Sequence, residues 1–141
     1  MTATTHLAID RRLCGEPVAL APGEATVAWT APPEAAADAA GLVHGGFVFG
    51  VADHAAMLAV NEPTVVLGSA EVRFSRPVVV GEALLARARV EEASGQTSGR
   101  RRIVAVTVSR GEEAVFSGRF IALVPDRHVL AGAAGPRGER L

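Results

Sequence analysis

The 141-residue chain contains no lysine, no tyrosine and a single cysteine. Cys14 has no partner for an internal disulfide or a CxxC motif, which excludes a disulfide scaffold and a structural zinc site. Fourteen arginines face fifteen acidic residues, and the formal net charge of −1 excludes a nucleic-acid binder that relies on bulk positive charge. We therefore expect neither a bound metal nor a nucleic-acid partner.

Long apolar runs are also missing. Residues 1–13 mix Thr, His, Asp and Arg and lack the apolar stretch of a signal peptide. The longest weakly polar stretch, Gly45 to Val60, contains Asp53 and His54 and is too short to span a bilayer. These absences predict a cytoplasmic protein with no membrane partner.

Apolar residues make up 49% of the chain and charged residues 21%, which is typical of a folded domain. A chain of this length predicts one hydrophobic core. We place a single domain at residues 13–128, after an N-terminal arm at 1–12. A flexible tail, rich in Gly, Ala, Pro and Arg, is expected at 129–141.

The first third of the chain predicts two short strands and a turn of helix. Leu13–Ala21 and Glu24–Ala31 tolerate β structure, and Pro22-Gly23 between them is a turn signal, so they predict an N-terminal hairpin. The Ala-rich segment Glu34–Ala40 follows Pro33 and predicts a short turn of helix.

Phe47–Val60 is the strongest helix candidate in the chain. The segment is rich in Ala and apolar almost all round, so the helix must be buried on most sides. Asn61-Glu62-Pro63 predicts its end.

From Thr64 onward, apolar residues recur at every second position, which is typical of strands with one buried face. Short connections with turn chemistry lie at Pro77–Gly81, Ser94–Gly99 and Gly111-Glu112. We therefore predict a meander of four consecutive antiparallel strands: Ala70–Pro77, Glu82–Glu92, Arg102–Arg110 and Ala114–Val124. The resulting class is α+β, with an antiparallel sheet wrapped around one long central helix.

Three stretches resemble the hotdog-fold acyl-CoA thioesterases of the PaaI-like branch. GLVHGGFVFGVADHAA at Gly41–Ala56 is similar to the family's HGG…D signature. VRFSRP at Val72–Pro77, followed by Gly81-Glu82, is similar to its strand-and-turn pattern, and AVFSGRF at Ala114–Phe120 is similar to its last strand. The similarity covers about residues 13–124 and implies the hotdog fold, a long helix wrapped by an antiparallel sheet.

The resemblance also implies an assembly. In this family two protomers join their sheets edge to edge, active sites lie at the dimer interface, and dimers often pair into tetramers. A homodimer or a dimer of dimers is therefore expected, and it would cover an exposed sheet edge.

Thioester hydrolysis needs a base or nucleophile beside the carbonyl carbon and donors for the oxyanion that forms. The first N–H groups of a buried helix lack partners and carry the positive end of its dipole. Gly45 and Gly46 would let an oxygen approach them closely. By resemblance, the Gly45 N–H is the oxyanion donor, and His44 orders the loop and contacts the substrate.

The resemblance makes Asp53 the catalytic carboxylate, either as a general base on water or as the nucleophile that forms an anhydride. On a helix that begins near Gly46, Asp53 would lie about two turns in. An unpaired carboxylate there is costly, and desolvation would raise its pKa. A pocket bounded by Phe47, Met57 and Leu58 would bind an aliphatic or aromatic acyl chain.

Each of these residues also has a purely structural interpretation. Asp53 would be the N-cap of a shorter helix, Ala55–Val60. His44 would be a structural loop histidine and Gly45-Gly46 a plain turn. His54 follows Asp53 directly and points about 100° away on a helix, so we expect a core or interface role for it and no catalytic one.

Asp38 departs from the family pattern. Many PaaI-like enzymes carry an Asn six residues before the motif His, and a carboxylate at that position cannot donate as an amide does. Asp38 either takes over as a base, or is a surface acid in an Ala-rich turn, or weakens the chemistry. Arg100–Arg102, Arg73 and Arg76 are either ligands for the phosphates of coenzyme A or solvated charges.

The prediction is an acyl-CoA thioesterase that needs no metal and no organic cofactor, coenzyme A being part of the substrate. The alternative is a non-catalytic acyl-CoA-binding protein, since some transcription regulators of lipid synthesis resemble this family and bind malonyl-CoA. No helix-turn-helix segment is evident ahead of the fold, which disfavours a regulator. A cofactorless hydratase is disfavoured because its Asp…His motif is not evident.

Overall fold

The structure is a computed structural model that describes residues 1–91 and 100–131. Its helices are α1 (Arg11–Cys14) and α2 (Gly45–Val60), with a 3-10 turn at Pro33–Ala35. Its strands are β1 (Glu16–Ala21), β2 (Glu24–Thr30), β3 (Val66–Phe74), β4 (Ala83–Val90), β5 (Arg101–Arg110) and β6 (Glu113–Leu123).

The six strands form one antiparallel sheet in the order β1-β2-β4-β5-β6-β3, and α2 contacts every strand. Val27, Leu84, Val106 and Phe120 point from successive strands into the core and are buried, as is Val51 on α2. Burying a side chain of this kind contributes about 1.5–3 kcal/mol. The expected α+β class, a sheet around one long helix, is confirmed.

The predicted four-strand meander is wrong at its first strand. β3 pairs with β6, whereas β4 lies between β2 and β5, so the connection from β3 to β4 is a crossover and not a hairpin. Backbone bonds hold that connection against the segment before α2: Val43 N–H donates to Val78 (2.8 Å) and Val80 N–H donates to Gly41 (2.9 Å). A period of two identifies the faces of a strand but not its neighbours.

The predicted strand Leu13–Ala21 begins later than expected. The Asp10 carboxylate accepts bonds from the N–H groups of Arg12 and Leu13 (2.9 and 3.1 Å) and caps the short helix α1. β1 therefore starts only at Glu16.

The predicted helical turn at Glu34–Ala40 is also wrong in position. The chain makes a 3-10 turn at Pro33–Ala35 and then an isolated antiparallel bridge between Ala36 and Val43. The predicted helix Phe47–Val60 has the same last residue as α2, but α2 begins two residues earlier, at Gly45.

Two predictions fall wholly or mostly outside the described residues: the turn at Ser94–Gly99 and the tail at 129–141. The domain boundaries at 13 and 128 stay predictions. No helix in residues 1–91 or 100–131 has the length and hydrophobicity needed to cross a bilayer.

Candidate functional site

The segment before α2 is fixed by backbone hydrogen bonds. Val43 N–H donates to Val78 C=O (2.8 Å) and His44 N–H donates to Ala35 C=O (2.9 Å). His44 C=O accepts from Phe47 N–H (3.0 Å), which closes the first turn of the helix. The start of α2 is therefore held at a defined position relative to the sheet.

Gly45 and Gly46 are the first two residues of α2, as the oxyanion hypothesis requires. N–H groups at this position have no partner within the helix, and the dipole makes them attractive to an anion. A Cβ at Gly45 would lie 3.3 Å from the Phe74 ring, and one at Gly46 would lie 3.1 Å from the His44 ring. The absence of both side chains keeps these amides open to an approaching oxygen.

His44 is the N-cap residue of α2 and is exposed, and its side chain makes no capping bond. Its ring lies beside Gly46 and meets Phe47 edge to face, with ring centroids 6.1 Å apart. The imidazole therefore lies at the N-terminal end of α2, beside Gly46.

Asp53 lies in the middle of α2, so the interpretation of Asp53 as the N-cap of a shorter helix is wrong. Within the described residues, its Oδ1 atom is buried and has no hydrogen-bond partner. Burial raises the pKa of this carboxyl to about 6. At neutral pH Asp53 is thus mostly ionised but more basic than an ordinary aspartate, which suits proton transfer.

The predicted oxyanion donor and the predicted carboxylate are too far apart to act together within one chain. Gly45 and Asp53 are eight residues apart on the same helix, which is about 12 Å along its axis. A carboxylate attacks a carbonyl carbon directly from about 3 Å, and an oxyanion donor must lie as close to the carbonyl oxygen. Direct attack on a carbonyl held at Gly45 therefore needs a carboxylate from another copy.

The predicted acyl pocket is only partly open. Phe47 is half-buried, but Met57 and Leu58 have almost no exposed surface and belong to the core. In the single chain these two side chains pack in the core between α2 and the sheet and do not line an open cavity.

Asp38 is exposed and acts locally. Its Oδ1 accepts from the N–H groups of Ala40 and Leu42 (3.0 and 3.2 Å), while its carbonyl accepts from Gly41 N–H (3.1 Å). These bonds order the turn that leads to His44. They fit the interpretation of Asp38 as a surface acid in a turn better than that of a base.

The arginine candidates lie at two ends of the sheet. Arg101 pairs in register with Leu123 of β6, which on its other side pairs with Val66, the first residue of β3. Arg73 lies at the other end of β3, next to Phe74, whose ring reaches Gly45. Seven strand residues separate the two ends, about 23 Å. Arg73 and its neighbour Arg76 are therefore the candidates nearest the start of α2.

Two of these arginines already have acidic partners. Arg76 pairs with Glu113 (3.2 Å) and Arg100 with Asp126 (2.7 Å). In the described ranges no ion pair involves Arg73. Arg73 thus combines a place near the start of α2 with the absence of an ion pair among the described residues.

A cluster around the N-terminal arm was not predicted. His54 is buried, as expected for a core residue, and its Nδ1 lies 3.0 Å from the Cys14 carbonyl oxygen. The His6 ring stacks on it with centroids 6.2 Å apart. Burial lowers the pKa of both histidines, and repulsion between them lowers that of His6 further. No period or motif in residues 1–10 signals this contact, because it depends on tertiary packing.

The thiol of Cys14 lies near the site as well. Its pKa is raised by burial first, and then by the negative charges of Asp10 and Asp53. Across residues 1–91 and 100–131, no three His, Cys, Asp or Glu side chains gather as metal ligands would.

The sheet wrapped around one helix, with a glycine pair at the helix start and a buried carboxylate along it, defines a hotdog-fold protein. The family model of the thioesterase superfamily matches residues 40–105, which include Gly45 and Asp53. The chain superposes on uncharacterized protein PH1136 from Pyrococcus horikoshii with a TM-score of 0.87 and 48% identity, over 92% of this chain and 97% of that one.

A mutant of the phenylacetic acid degradation protein PaaI from Thermus thermophilus is 30% identical, with a TM-score of 0.70 over 80% of this chain and 95% of that one. The chain belongs to the thioesterase superfamily of hotdog-fold proteins, with PaaI among its structural neighbours. The predicted resemblance to the hotdog-fold thioesterases is thereby confirmed.

Two curated relatives are longer proteins. Methylthioribose-1-phosphate isomerase from Aquifex aeolicus (strain VF5) is 45% identical over 123 residues, 87% of this chain but 26% of the isomerase. Transcription factor FapR from Shouchella clausii (strain KSM-K16) is 39% identical over 88 residues, 62% of this chain and 44% of FapR. The chain thus spans about a quarter of the first relative and less than half of the second.

Proposed function

We propose that this chain hydrolyses acyl-CoA thioesters to a carboxylic acid and free coenzyme A. One observation carries the proposal: on α2, Asp53 keeps a buried carboxylate oxygen for which the described residues offer no partner, and its pKa is about 6. A group of this kind costs stability, so its retention is most simply explained by use in proton transfer or nucleophilic attack. Membership of the thioesterase superfamily supports the same reaction.

In the general-base route, Asp53 takes a proton from water while the water oxygen attacks the thioester carbonyl carbon. The oxyanion accepts a bond from the Gly45 N–H of a second copy, and His44 of that copy borders the thioester. The C–S bond then breaks, and the sulfur of coenzyme A leaves with the proton held by Asp53.

In the nucleophilic route, an Asp53 oxygen attacks the carbonyl carbon and expels the thiolate of coenzyme A, which leaves an anhydride that water then opens. A single turnover in ¹⁸O-labelled water establishes the anhydride route if label appears in Asp53, whereas label in the released acid alone is produced by both routes. Label enters the Asp53 peptide only when water attacks the Asp53 carboxyl carbon of the anhydride, a step that the general-base route does not contain.

The direct test is release of free thiol from a panel of acyl-CoAs. We expect Asp53→Ala to lower kcat by about 100-fold or more, the scale of losing a general base. The matched control is Glu62→Ala, an exposed carboxylate just beyond α2, which should leave the rate unchanged. An unchanged rate in Asp53→Ala would remove Asp53 from the mechanism.

The rate should also follow the ionisation of this carboxyl. Because either role needs the ionised form, kcat/KM should fall as the pH drops below about 6, the raised pKa of Asp53. A profile that is flat from pH 5 to 8 would contradict the assignment.

A second candidate function is binding of acyl-CoA without turnover, and the similarity to transcription factor FapR favours it. Titration calorimetry with the same acyl-CoAs separates the two functions. Micromolar binding with no thiol release by the wild type would support the binding protein and exclude the hydrolase.

A further inference from the structure

Gly50 is the glycine that neither the backbone nor the packing of the chain explains. Of the glycines in residues 1–91 and 100–131, the others have a positive φ or a neighbour within 3.3 Å of a built Cβ. A Cβ at Gly50 would meet nothing within 4 Å, and the residue has helical geometry. Glycine inside a helix is less stable than alanine, so Gly50 destabilises α2. No contact among the described residues of the single chain explains why this position lacks a side chain.

The open space at Gly50 adjoins the candidate carboxylate. Gly50 precedes Asp53 by three residues, which places the two on the same face of α2, about 4.5 Å apart along the axis. Gly46 lies one turn earlier on that face and is exposed. Met57, one turn after Asp53, is fully buried, so the open part of the face ends at Asp53.

We propose that Gly50 is a specificity-determining residue, whose missing side chain leaves room beside Asp53 for the acyl group next to the thioester carbonyl. The inference rests on the proposed hydrolase function. When Asp53 acts at the carbonyl carbon, the first atoms of the acyl group must lie within a few ångströms of its carboxylate. The chain offers uncovered helix surface beside that carboxylate at Gly50.

The substrate class follows from the position of this space, directly beside the carboxylate that acts at the carbonyl carbon. Acyl groups with a branch or a ring next to the carbonyl need room at that point, whereas an acetyl group does not. A methyl group introduced at residue 50 would occupy the room, and one methylene in a pocket changes kcat/KM by about 10- to 200-fold. Gly50 therefore favours α-branched and aromatic acyl-CoAs.

The experiment compares Gly50→Ala and Gly50→Met with wild type on acetyl-, isobutyryl- and benzoyl-CoA. Alanine and methionine are both strong helix formers, so neither variant should melt at a lower Tm than wild type. We expect Gly50→Ala to lose at least about 10-fold more kcat/KM on benzoyl-CoA than on acetyl-CoA, and Gly50→Met to extend the loss to acetyl-CoA. Val60→Ile adds one methyl at the far end of α2 and should leave the ratios unchanged.

Equal losses on all three substrates, or no loss, would overturn the inference while leaving the hydrolase function intact. A lower Tm would show that the space is filled in the folded chain, and dissociation of the assembly would assign it to a second copy. Either result excludes the acyl group as occupant. If the wild type releases no thiol from any substrate, the proposed hydrolase function is wrong, and so is this inference, which depends on it.

Discussion

At the scale of single residues, Asp53 links stability to function. Its pKa is raised to about 6 because the fold removes the carboxyl from water, so the folded state prefers the neutral form. The stability from that neutral form is fully present below the unfolded pKa of about 3.8 and is lost as the pH rises through about 6. At pH 8 the ionised carboxylate therefore destabilises the fold.

Asp53→Asn should accordingly stabilise the protein at high pH and much less at low pH. We expect its Tm to exceed that of the wild type by about 3 °C or more at pH 8, with the difference largely gone at pH 4.5. Thermal unfolding at both pH values measures this. Glu62→Gln, at an exposed carboxylate, should show no such difference, and a pH-independent gain in Asp53→Asn would contradict the assigned pKa.

Gly118 shows the opposite case to Gly50. A Cβ there would lie 2.7 Å from Val72 Cγ1 and 3.0 Å from the Glu71 carbonyl oxygen on the neighbouring strand. Overpacking of this kind costs about 1–3 kcal/mol, so Gly118→Ala should lower the free energy of unfolding by that amount. Urea denaturation provides the value, with exposed Ser117→Ala as control. A change in Gly118→Ala no larger than the control's would show that β3 shifts freely.

At the scale of elements, the N-terminal arm is attached to α2 at two points. Asn61 ends the helix in the left-handed region, with φ 52°, and its amide side chain accepts from Thr4 N–H (2.7 Å) and donates to the Thr2 carbonyl (3.0 Å). The His6–His54 stack is the second attachment. Shortly after that stack, the chain reaches Asp10, the cap of α1.

The histidine attachment should weaken in acid. Burial lowers the pKa of His6 and His54; around His54, the Cys14 carbonyl bond and Glu16 oppose this, and Arg11 adds to it. Because the folded pKa values lie below the usual 6.5, the stabilisation is fully present above about pH 6.5 and is lost as the pH falls through the lowered values.

Proteolysis of the arm should therefore be faster at pH 5 than at pH 8. His6→Asn keeps a residue that tolerates the φ of 57° found there and removes one titrating ring, so the ratio of the two rates should fall towards one. An unchanged ratio in His6→Asn would locate the pH dependence elsewhere.

The elements themselves were largely predictable, and their arrangement was not. Phe47–Val60 was recognisable because its apolar composition is a local property of the sequence. The alternation of apolar residues in β4, β5 and β6 is equally local. The place of β3 beside β6 was missed because Gly118, which gives Val72 its room, is 46 residues away in sequence. The four-residue helix α1 depends on a single cap at Asp10. One capping residue is too weak a signal to predict a helix when the residues after it tolerate β structure.

The candidate site was predictable only through its motif. Gly45, His44 and Asp53 lie at the start and middle of α2 as the HGG…D resemblance implies, and the N-cap alternative for Asp53 falls with the length of the helix. Gly50 carries no signal in the sequence, because only the structure shows that the space beside it is open. The proposed contribution of a second copy was likewise predictable only through the resemblance, because no local pattern in a sequence shows which surfaces of two copies meet.

At the scale of the whole molecule, one group of exposed apolar side chains borders the start of α2. Phe74, Val79 and Leu42 are 51%, 43% and 40% exposed and form an apolar border at this end of the helix. Phe74 ends β3, which is the last strand of the sheet formed by the described residues and presents an unpaired edge there. This edge and its apolar border support a second copy as the neighbour that brings its Asp53 to Gly45.

Mixing two inactive variants tests this shared site most directly. Gly45→Pro removes the oxyanion N–H at a helix position that accepts proline, and the extended ψ of 131° at His44 suits a residue before proline. Asp53→Ala removes the carboxylate. Each variant alone should be inactive, but refolding them together should restore about a quarter of wild-type activity per chain, since half of random dimers hold one intact site. Light scattering should show dimers or larger assemblies throughout. A mixture that stays inactive although mixed dimers are present, or a monomeric wild type that is fully active, would contradict the shared site.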